Sequence, residues 1–516
     1  MSGQYIVGID VGTTGTKTVI FDLQGKVVSK AYTEYGCIYP KPGWVEQDAH
    51  MIKEATFDTC REAIVKSGID KNRIACFGLS TQRACALFLD KTGYPMKMFS
   101  WQDARPEEES AYISTLVPND EFYQVNGVPN NPAWIVPKMM WIKRNEIEIW
   151  EKTTKVVQLH DYILREMGAP DYYCDETDAG FFCTWDCDHF RWKQEYIDLF
   201  RVDINMISKV LPTGTRVGEI SGEMAQRTGL PEKLPIVIGL GDQTAASIGA
   251  GVVSPGRFSI SMGTGGMCLG FLDKPYRDPK GSFMIVGHAI HGCWELEGWQ
   301  KGSAGIYRWF RDEIATLEKQ RAAEKGADVY EILNEMIASV PAGAKGLITM
   351  PYFATAGTPR WNENARGTMM GLSYYHDKAC IARSIIEGIT LEHKDMLVCL
   401  KGSGIRVDSA CIIGGPTRSE LWNQMQADIY GVPVQKPVFE DASVLGAAIA
   451  GAYGVGIFGN IAEAADELVK MQKTYEPNPR IVPIYDELYD VYTKIYEGLD
   501  KSGAFDAMAS FQKRNI

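Results

Sequence analysis

The chain predicts an α/β protein of two domains, and three observations carry that expectation. Two strand–turn–strand units rich in Gly and Thr occur, at Tyr5–Asp22 and again at Arg257–Leu272. Apolar strands alternate with stretches of helical periodicity in both halves, the pattern of a mostly parallel or mixed sheet covered by helices. The chain has 516 residues, more than the roughly 100–200 of a typical single domain.

Tyr5–Asp10 reads as a strand, followed by a Gly/Thr turn and a second strand, Thr18–Asp22. The turn Gln24-Gly25 leads into Lys26–Lys30, so the opening is a β-hairpin pair. Apolar positions recurring at three and four predict a helix over Met51–Ser67. Strands are expected at Ile74–Leu79, Ala84–Asp90 and Pro235–Ile238. In the second half, Arg257–Met262 ends in Gly263–Gly266 before the strand Met267–Leu272. Ser409–Ile413 runs into Gly414-Gly415 and a helix Ser419–Tyr430, with a short strand at Pro433–Lys436. The shared grammar suggests a structural duplication. Gly and Pro punctuate Gly251–Pro255, so domains 1–251 and 252–516 are expected, packed directly against each other around a cleft.

Composition narrows the function. The chain is 45% hydrophobic and 23% charged, as a globular protein should be. Its 53 basic against 65 acidic residues give −12, with no surplus to displace nucleic-acid counterions. The 12 Cys are scattered singly, which suits reduced thiols in a cytoplasmic enzyme. The opening MSGQYIVGID lacks a basic n-region and a long apolar core, so no secretory signal is expected. Leu445–Gly459 (LGAAIAGAYGVGIFG) falls short of the ~20 apolar residues of a spanning helix. Close helix packing inside a domain explains its glycines better. The expectation is a cytoplasmic protein with no membrane or nucleic-acid partner, assembling as a homodimer or other homo-oligomer.

Five motifs carry the chemistry. In Asp10–Lys17 (DVGTTGTK), Gly lets backbone amides approach a phosphate, Thr13 and Thr14 add donors, and Lys17 adds charge. Asp10, at a strand end, suits Mg²⁺ held through water. Gly263-Thr264-Gly265-Gly266 is a second donor-rich turn; the two turns together suit a polyphosphate. No GxxxxGK[ST] occurs, and the turn at 263–266 lacks the GxGxxG fingerprint, whose third Gly would fall at Cys268. Gly239-Leu240-Gly241-Asp242-Gln243 puts a carboxylate at a strand end, suited to general-base work on an alcohol; the alternative is an Asp capping the helix Gln243–Gly249. Gln82-Arg83 and Trp101 offer donors and a stacking face for a sugar. Gly414-Gly415, before Ser419, leaves room for a flat adenine ring. By contrast, His288 and His291 with Glu295 and Glu297 read as structural, Cys183 and Cys187 as bland, and Glu107–Glu109 as an exposed helix start.

These motifs resemble the FGGY carbohydrate kinases, the family of glycerol kinase and xylulokinase. The resemblance runs through YIVGIDVGTTGTK (5–17), TQR…WQDAR (81–105), KMMWI (138–142), GLGDQ (239–243), SMGTGG (261–266), RWNENARGTMMGL (360–372), ARSIIEGI (382–389), IIGGPTRSELWNQMQADIYGVPV (412–434) and ASVLGAAIAG (442–451). It implies two ribonuclease-H-like (actin/hexokinase-type) domains enclosing a catalytic cleft, and ATP with Mg²⁺. It implies Asp242 as base and substrate-side Gln82, Arg83, Trp101 and Gln243. Thr13, Thr14, Lys17, Gly263, Thr264, Gly265, Gly414, Gly415 and Ser419 fall on the ATP elements, with Asp10 near the metal. The chain departs from the glycerol kinase pattern at Ala84 (Glu there) and Ala133 (Tyr there), and Arg83-Ala84 stands where xylulokinases read Met-His. A roomier pocket is expected, with a pentulose such as xylulose as substrate; glycerol or a linear signalling sugar of the autoinducer-2 type is the alternative. Restoring Glu and Tyr at 84 and 133 is expected to favour glycerol. A silent sugar- or nucleotide-dependent regulator, or an actin- or chaperone-like ATPase, is the rival class.

Overall fold

The computed structural model describes residues 4–515. The chain forms two compact units. The first holds the chain up to Ser254 with Phe271–Leu296 and Asp441–Lys470; the second holds Pro255–Gly270, Glu297–Glu440 and the chain from Met471.

The sheet of the first unit runs Leu240–Gly241, Ile74–Thr81, Tyr5–Val11, Gly15–Asp22, Val27–Glu34. Tyr5–Val11 pairs antiparallel with its hairpin partner and parallel with Ile74–Thr81, which pairs parallel with Leu240–Gly241. The connection between the first parallel pair is the helix Ala49–Ser67. Asp48 caps its start by accepting from the Met51 N–H at 3.0 Å, and Gly68, in the left-handed region, ends it. Its buried face, including Ile52, Phe57, Ala63 and Ile64, joins the core with Val7, Ile9, Ile20 and Leu79.

The segment 441–470 belongs to the first unit because its helix, Ala442–Gly454, lies directly on that sheet and on the helix Asp242–Gly249. Glycines make the approach possible. A Cβ on Gly78 would stand 1.8 Å from the Ala447 carbonyl oxygen, and one on Gly8 2.1 Å from that of Val444. The helix pair is equally tight: Cβ atoms on Gly249 and Gly446 would each lie 1.9 Å from a facing carbonyl. The apolar, Gly-rich stretch is thus a buried packing helix. Among the described residues, no helix is long and apolar enough to cross a membrane.

The second unit repeats the grammar. Gly256–Met262 pairs antiparallel with Gly266–Leu272 and parallel with Val407–Ile413, which pairs parallel with Val434–Pro437. The long helix Lys378–Gly402 precedes Val407–Ile413, with Asp377 capping its start. In each unit a central strand has a hairpin partner on one side and a parallel strand, reached through a helix, on the other. This is the ribonuclease-H-like arrangement.

Candidate active site

Asp10, Ser80 and Gly241 stand near the carboxyl ends of three adjacent parallel strands, where open α/β sheets place their chemistry. Asp10 is in register with Ser80, which is in register with Leu240; Gly241 is opposite Thr81. Asp242 therefore emerges beside Gln82 and Arg83.

The Asp10 carboxylate accepts from the Ser80 hydroxyl and, at 2.8 Å, from Ser443. Burial pushes its pKa up, opposed by these two hydroxyls and by Lys17. Lys17 donates to Asp441 at 2.7 Å, so its charge is shared with a carboxylate that only the fold brings there. In the turn itself Thr13 accepts at Oγ1 from the Trp101 indole at 2.9 Å, and its carbonyl accepts from Gln47 at 2.9 Å. Thr14 is exposed. Gln82 is buried and donates to Gln47 at 2.9 Å, so strand end and turn are joined through one amide.

Asp242 is the first residue of the helix Asp242–Gly249, whose N-cap is Gly241, with no side chain to offer. The capping alternative is therefore not what the structure shows. The carboxylate of Asp242 lies 3.6 Å from Arg83 Nε, and the Arg83 guanidinium lies over Phe181 at 4.9 Å. Gly241 allows this convergence: a Cβ there would stand 2.3 Å from Arg83 Cδ and 2.5 Å from Asp178 Oδ1. Asp178 is buried with neither carboxyl oxygen hydrogen-bonded, and burial with Asp175 nearby holds its pKa well above the usual range. Gly241 N–H donates to Thr177 Oγ1 at 2.9 Å, and Gly239 N–H to His160 Nε2 at 3.0 Å. Sequence reasoning missed Asp178, Thr177 and His160; the only signal was the acidic run 175–178. Gln243 is half-buried in the first helical turn, and Trp101 is 37% exposed.

The rest of WQDAR is structural. The Arg105 guanidinium, 1% exposed, is paired with Asp103 and Glu46 and lies 3.9 Å from the Trp44 ring centre.

The expectation of added room at 84 needs correction. Ala84 is buried in an apolar cluster with Val128, Phe181 and Val286, while Ala133 is half-buried. A Glu at 84 would bury a carboxylate and carry a longer side chain at φ 57°. The nearby Lys138 ammonium and Arg83 guanidinium offset only part of a cost of about 1–3 kcal/mol or more. Ala84→Glu is thus expected to lower the melting temperature by about 2–5 °C instead of favouring glycerol; a thermal melt checks it. Glu109 also differs from its expectation: it is 5% exposed and paired with Arg144 at 3.0 Å. His288 is buried beyond the strand Met284–Gly287, against the Val252 carbonyl, and burial pulls its pKa to about 4. Among the described residues, no group of three or more His, Cys, Asp or Glu is arranged to hold a metal.

The second unit holds a cavity of about 620 Å³ lined by Thr264, Arg308, Tyr330, Asn334, Gly415 and Ser419, among others. The turn Gly263–Gly266 forms one end: Gly263 N–H donates to the Gly265 carbonyl at 2.8 Å, and Thr264 Oγ1 accepts from Arg308 at 2.9 Å. Gly414, at φ 100°, passes so close to the neighbouring strand that a Cβ would lie 2.5 Å from the Met262 carbonyl oxygen. Gly415 has open space where a side chain would be. Ser419 caps the helix Glu420–Tyr430 and donates to Asn334 at 2.9 Å. Arg308, Tyr330 and Asn334 stood in no motif, because each comes from an ordinary helix.

Comparison with known proteins extends this picture. Residues 5–249 match the N-terminal domain of the FGGY family of carbohydrate kinases, and residues 258–455 match its C-terminal domain. An autoinducer-2 kinase of Salmonella typhimurium is 29% identical over 506 residues, covering 96% of this chain and 94% of that one. A xylulose kinase of Staphylococcus epidermidis is 27% identical over 498 residues, covering 96% and 97%. The crystal structure of a ligand-bound xylulose kinase from Lactobacillus acidophilus superposes with a TM-score of 0.88 at 24% identity, covering 96% and 98%. With both domain descriptions matched in order over most of its length, the chain belongs to the FGGY family of carbohydrate kinases.

Proposed function

We propose that this carbohydrate kinase transfers the γ-phosphoryl group of ATP to a primary hydroxyl of a small open-chain sugar or polyol, with a pentulose such as xylulose favoured. The observation that carries the reading is the Arg83–Asp242 pair, 3.6 Å apart beside Gly241. A carboxylate at a strand end can accept a hydroxyl proton, while the guanidinium's fork of donors holds neighbouring oxygens. The similarity to xylulose kinases supports the pentulose. The 29% identity to an autoinducer-2 kinase keeps a linear signalling sugar as the second reading.

The cavity of the second unit suits adenosine, with Gly415 open for the ring and Thr264 and Arg308 as donors toward phosphate. Asp10 fits Mg²⁺, which takes one or two carboxylates, keeps several waters and relies on substrate phosphates for the rest. When bound, Mg²⁺–ATP supplies the phosphoryl group and neutralises charge on its oxygens. Thr13 and Thr14 donate toward phosphate, and Lys17, steadied by Asp441, adds a positive charge. Asp242 takes the proton from the attacking hydroxyl, and Arg83 and Trp101 orient the acceptor. Positioning and electrostatics supply most of the rate in such transfers.

Arg308→Ala removes a charged donor worth about 1.5–3 kcal/mol. The KM for ATP is expected to rise about tenfold or more, with the sugar KM unchanged in a two-substrate titration. The function itself is tested by sugar-dependent ADP release across xylulose, ribulose, erythritol, glycerol and autoinducer-2 precursors. The expected result is strong stimulation, greatest with a pentulose. Sugar-independent release would mean an ATPase, and no release with any acceptor a regulator.

A further inference from the structure

Lys138, in the helix Ile135–Asn145, has no exposed surface. An ammonium buried to that depth forfeits its hydration, and burial pulls its pKa down to about 8. A methionine would fill a similar volume without that penalty, so the cation needs a reason. Its Nζ donates to two backbone carbonyls, those of Ala84 and Ser100, each at 2.9 Å. One follows Arg83 directly and the other directly precedes Trp101.

Both peptides are also held elsewhere. Ala84, a non-glycine residue at φ 57°, donates its N–H to Gln158 Oε1 at 2.9 Å. The Ser100 carbonyl also accepts from the Asp103 N–H at 3.1 Å. Trp101 then reaches the Thr13 hydroxyl at 2.9 Å. Both carbonyls lie just beyond one antiparallel hairpin, Ala86–Leu89 with Pro95–Phe99, whose last ladder pair on this side is Ala86 opposite Phe99. Past that pair the ladder does not continue, and the Lys138 ammonium bridges the two segments.

We propose that Lys138 is a positioning residue for the phosphoryl-transfer reaction: by drawing the Ala84 and Ser100 carbonyls onto one ammonium, it sets where Arg83 and Trp101 stand relative to each other. This rests on the reading that both side chains face the acceptor sugar. Lys138 touches neither substrate, and it acts only through the backbone it clamps.

The test is a set of four variants, Lys138→Met, Lys138→Gln, Arg83→Ala and Lys138→Gln with Arg83→Ala, assayed below their melting temperatures with sugar and ATP varied separately. A misplacement of about 1 Å can cost on the order of 10²-fold. Lys138→Met is therefore expected to lower kcat/KM for the sugar about 10–100-fold while the KM for ATP stays within about twofold. Lys138→Gln, too short to span both carbonyls, should show the same split at a smaller size, and carries the test if the Met variant does not fold. Because part of the Lys138 effect runs through Arg83, the double variant should lose clearly less than the two single losses combined, whereas independent effects would add in full. Wild-type sugar kinetics in a folded Lys138 variant, equal losses for both substrates, or additive losses would overturn the clamp. If Arg83→Ala alone leaves the sugar kinetics unchanged, the reading of the sugar side falls, and the proposal with it.

Discussion

Asp242→Asn is expected to lower kcat by about 10²–10⁴-fold, the usual cost of removing a general base. The amide keeps the shape of the carboxylate but cannot take the hydroxyl proton. Folding should be nearly unaffected, since the helix is capped at Gly241, which contributes no side chain, and Asp242 is only its first helical residue. Losing a negative charge in the first turn costs about 0.3–1 kcal/mol against the helix dipole. The KM for ATP should hold, because the cavity assigned to adenosine is built from residues of the second unit. Steady-state kinetics beside a thermal melt read both. Near-wild-type turnover would remove Asp242 as the base, and a large drop in melting temperature would make it a structural residue.

The second large effect is on stability. Gly78→Ala would place a Cβ 1.8 Å from the Ala447 carbonyl oxygen, with the Gly451 N 2.9 Å away. Both neighbours are backbone atoms of a buried helix and cannot swing aside, so the strand and helix must separate. Overpacking costs about 1–3 kcal/mol when side chains can adjust, and here about 3 kcal/mol or more is expected. The measurable result is loss of soluble folded protein or a fall in melting temperature of about 3–5 °C or more. Gly498→Ala is the control. It lies within the helix Val482–Lys501, with nothing within 4 Å of the added carbon, and should stabilise by about 0.5–1 kcal/mol. A wild-type melt for Gly78→Ala would contradict the packing described for Ala442–Gly454.

What the sequence revealed and what it concealed divide along local and long-range lines. The hairpins Tyr5–Asp22 and Arg257–Leu272, and the helices after Asp48 and Ser419, were legible because alternation, Gly turns and caps are local signals. The packing role of the segment beginning at Leu445 was legible from its glycines. Its place in the first unit was not, because nothing near Asp441 or Ser443 reveals that Lys17 and Asp10 are their partners. Ala84 looked like an opening in a pocket, yet Val128, Phe181 and Val286, distant in the chain, close around it. Glu109 read as a solvated helix start, but Arg144 from another helix pairs with it. Asp178 and Thr177 escaped notice for the same reason. Their role depends on Gly241, some sixty positions on, which brings Arg83 and Asp178 together.

The central claim is phosphoryl transfer to a primary hydroxyl of an open-chain sugar, and proton-coupled ³¹P NMR of the product tests it most directly. Incubation with Mg²⁺–ATP and xylulose should yield, beside ADP, a phosphomonoester resonance split into a triplet by the two protons of a CH₂–O–P group. The Asp242→Asn protein under the same conditions should yield almost none. A doublet from a secondary CH–O–P group would contradict the assigned hydroxyl. Inorganic phosphate as the sole new resonance, with this and every other acceptor, would contradict sugar phosphorylation itself.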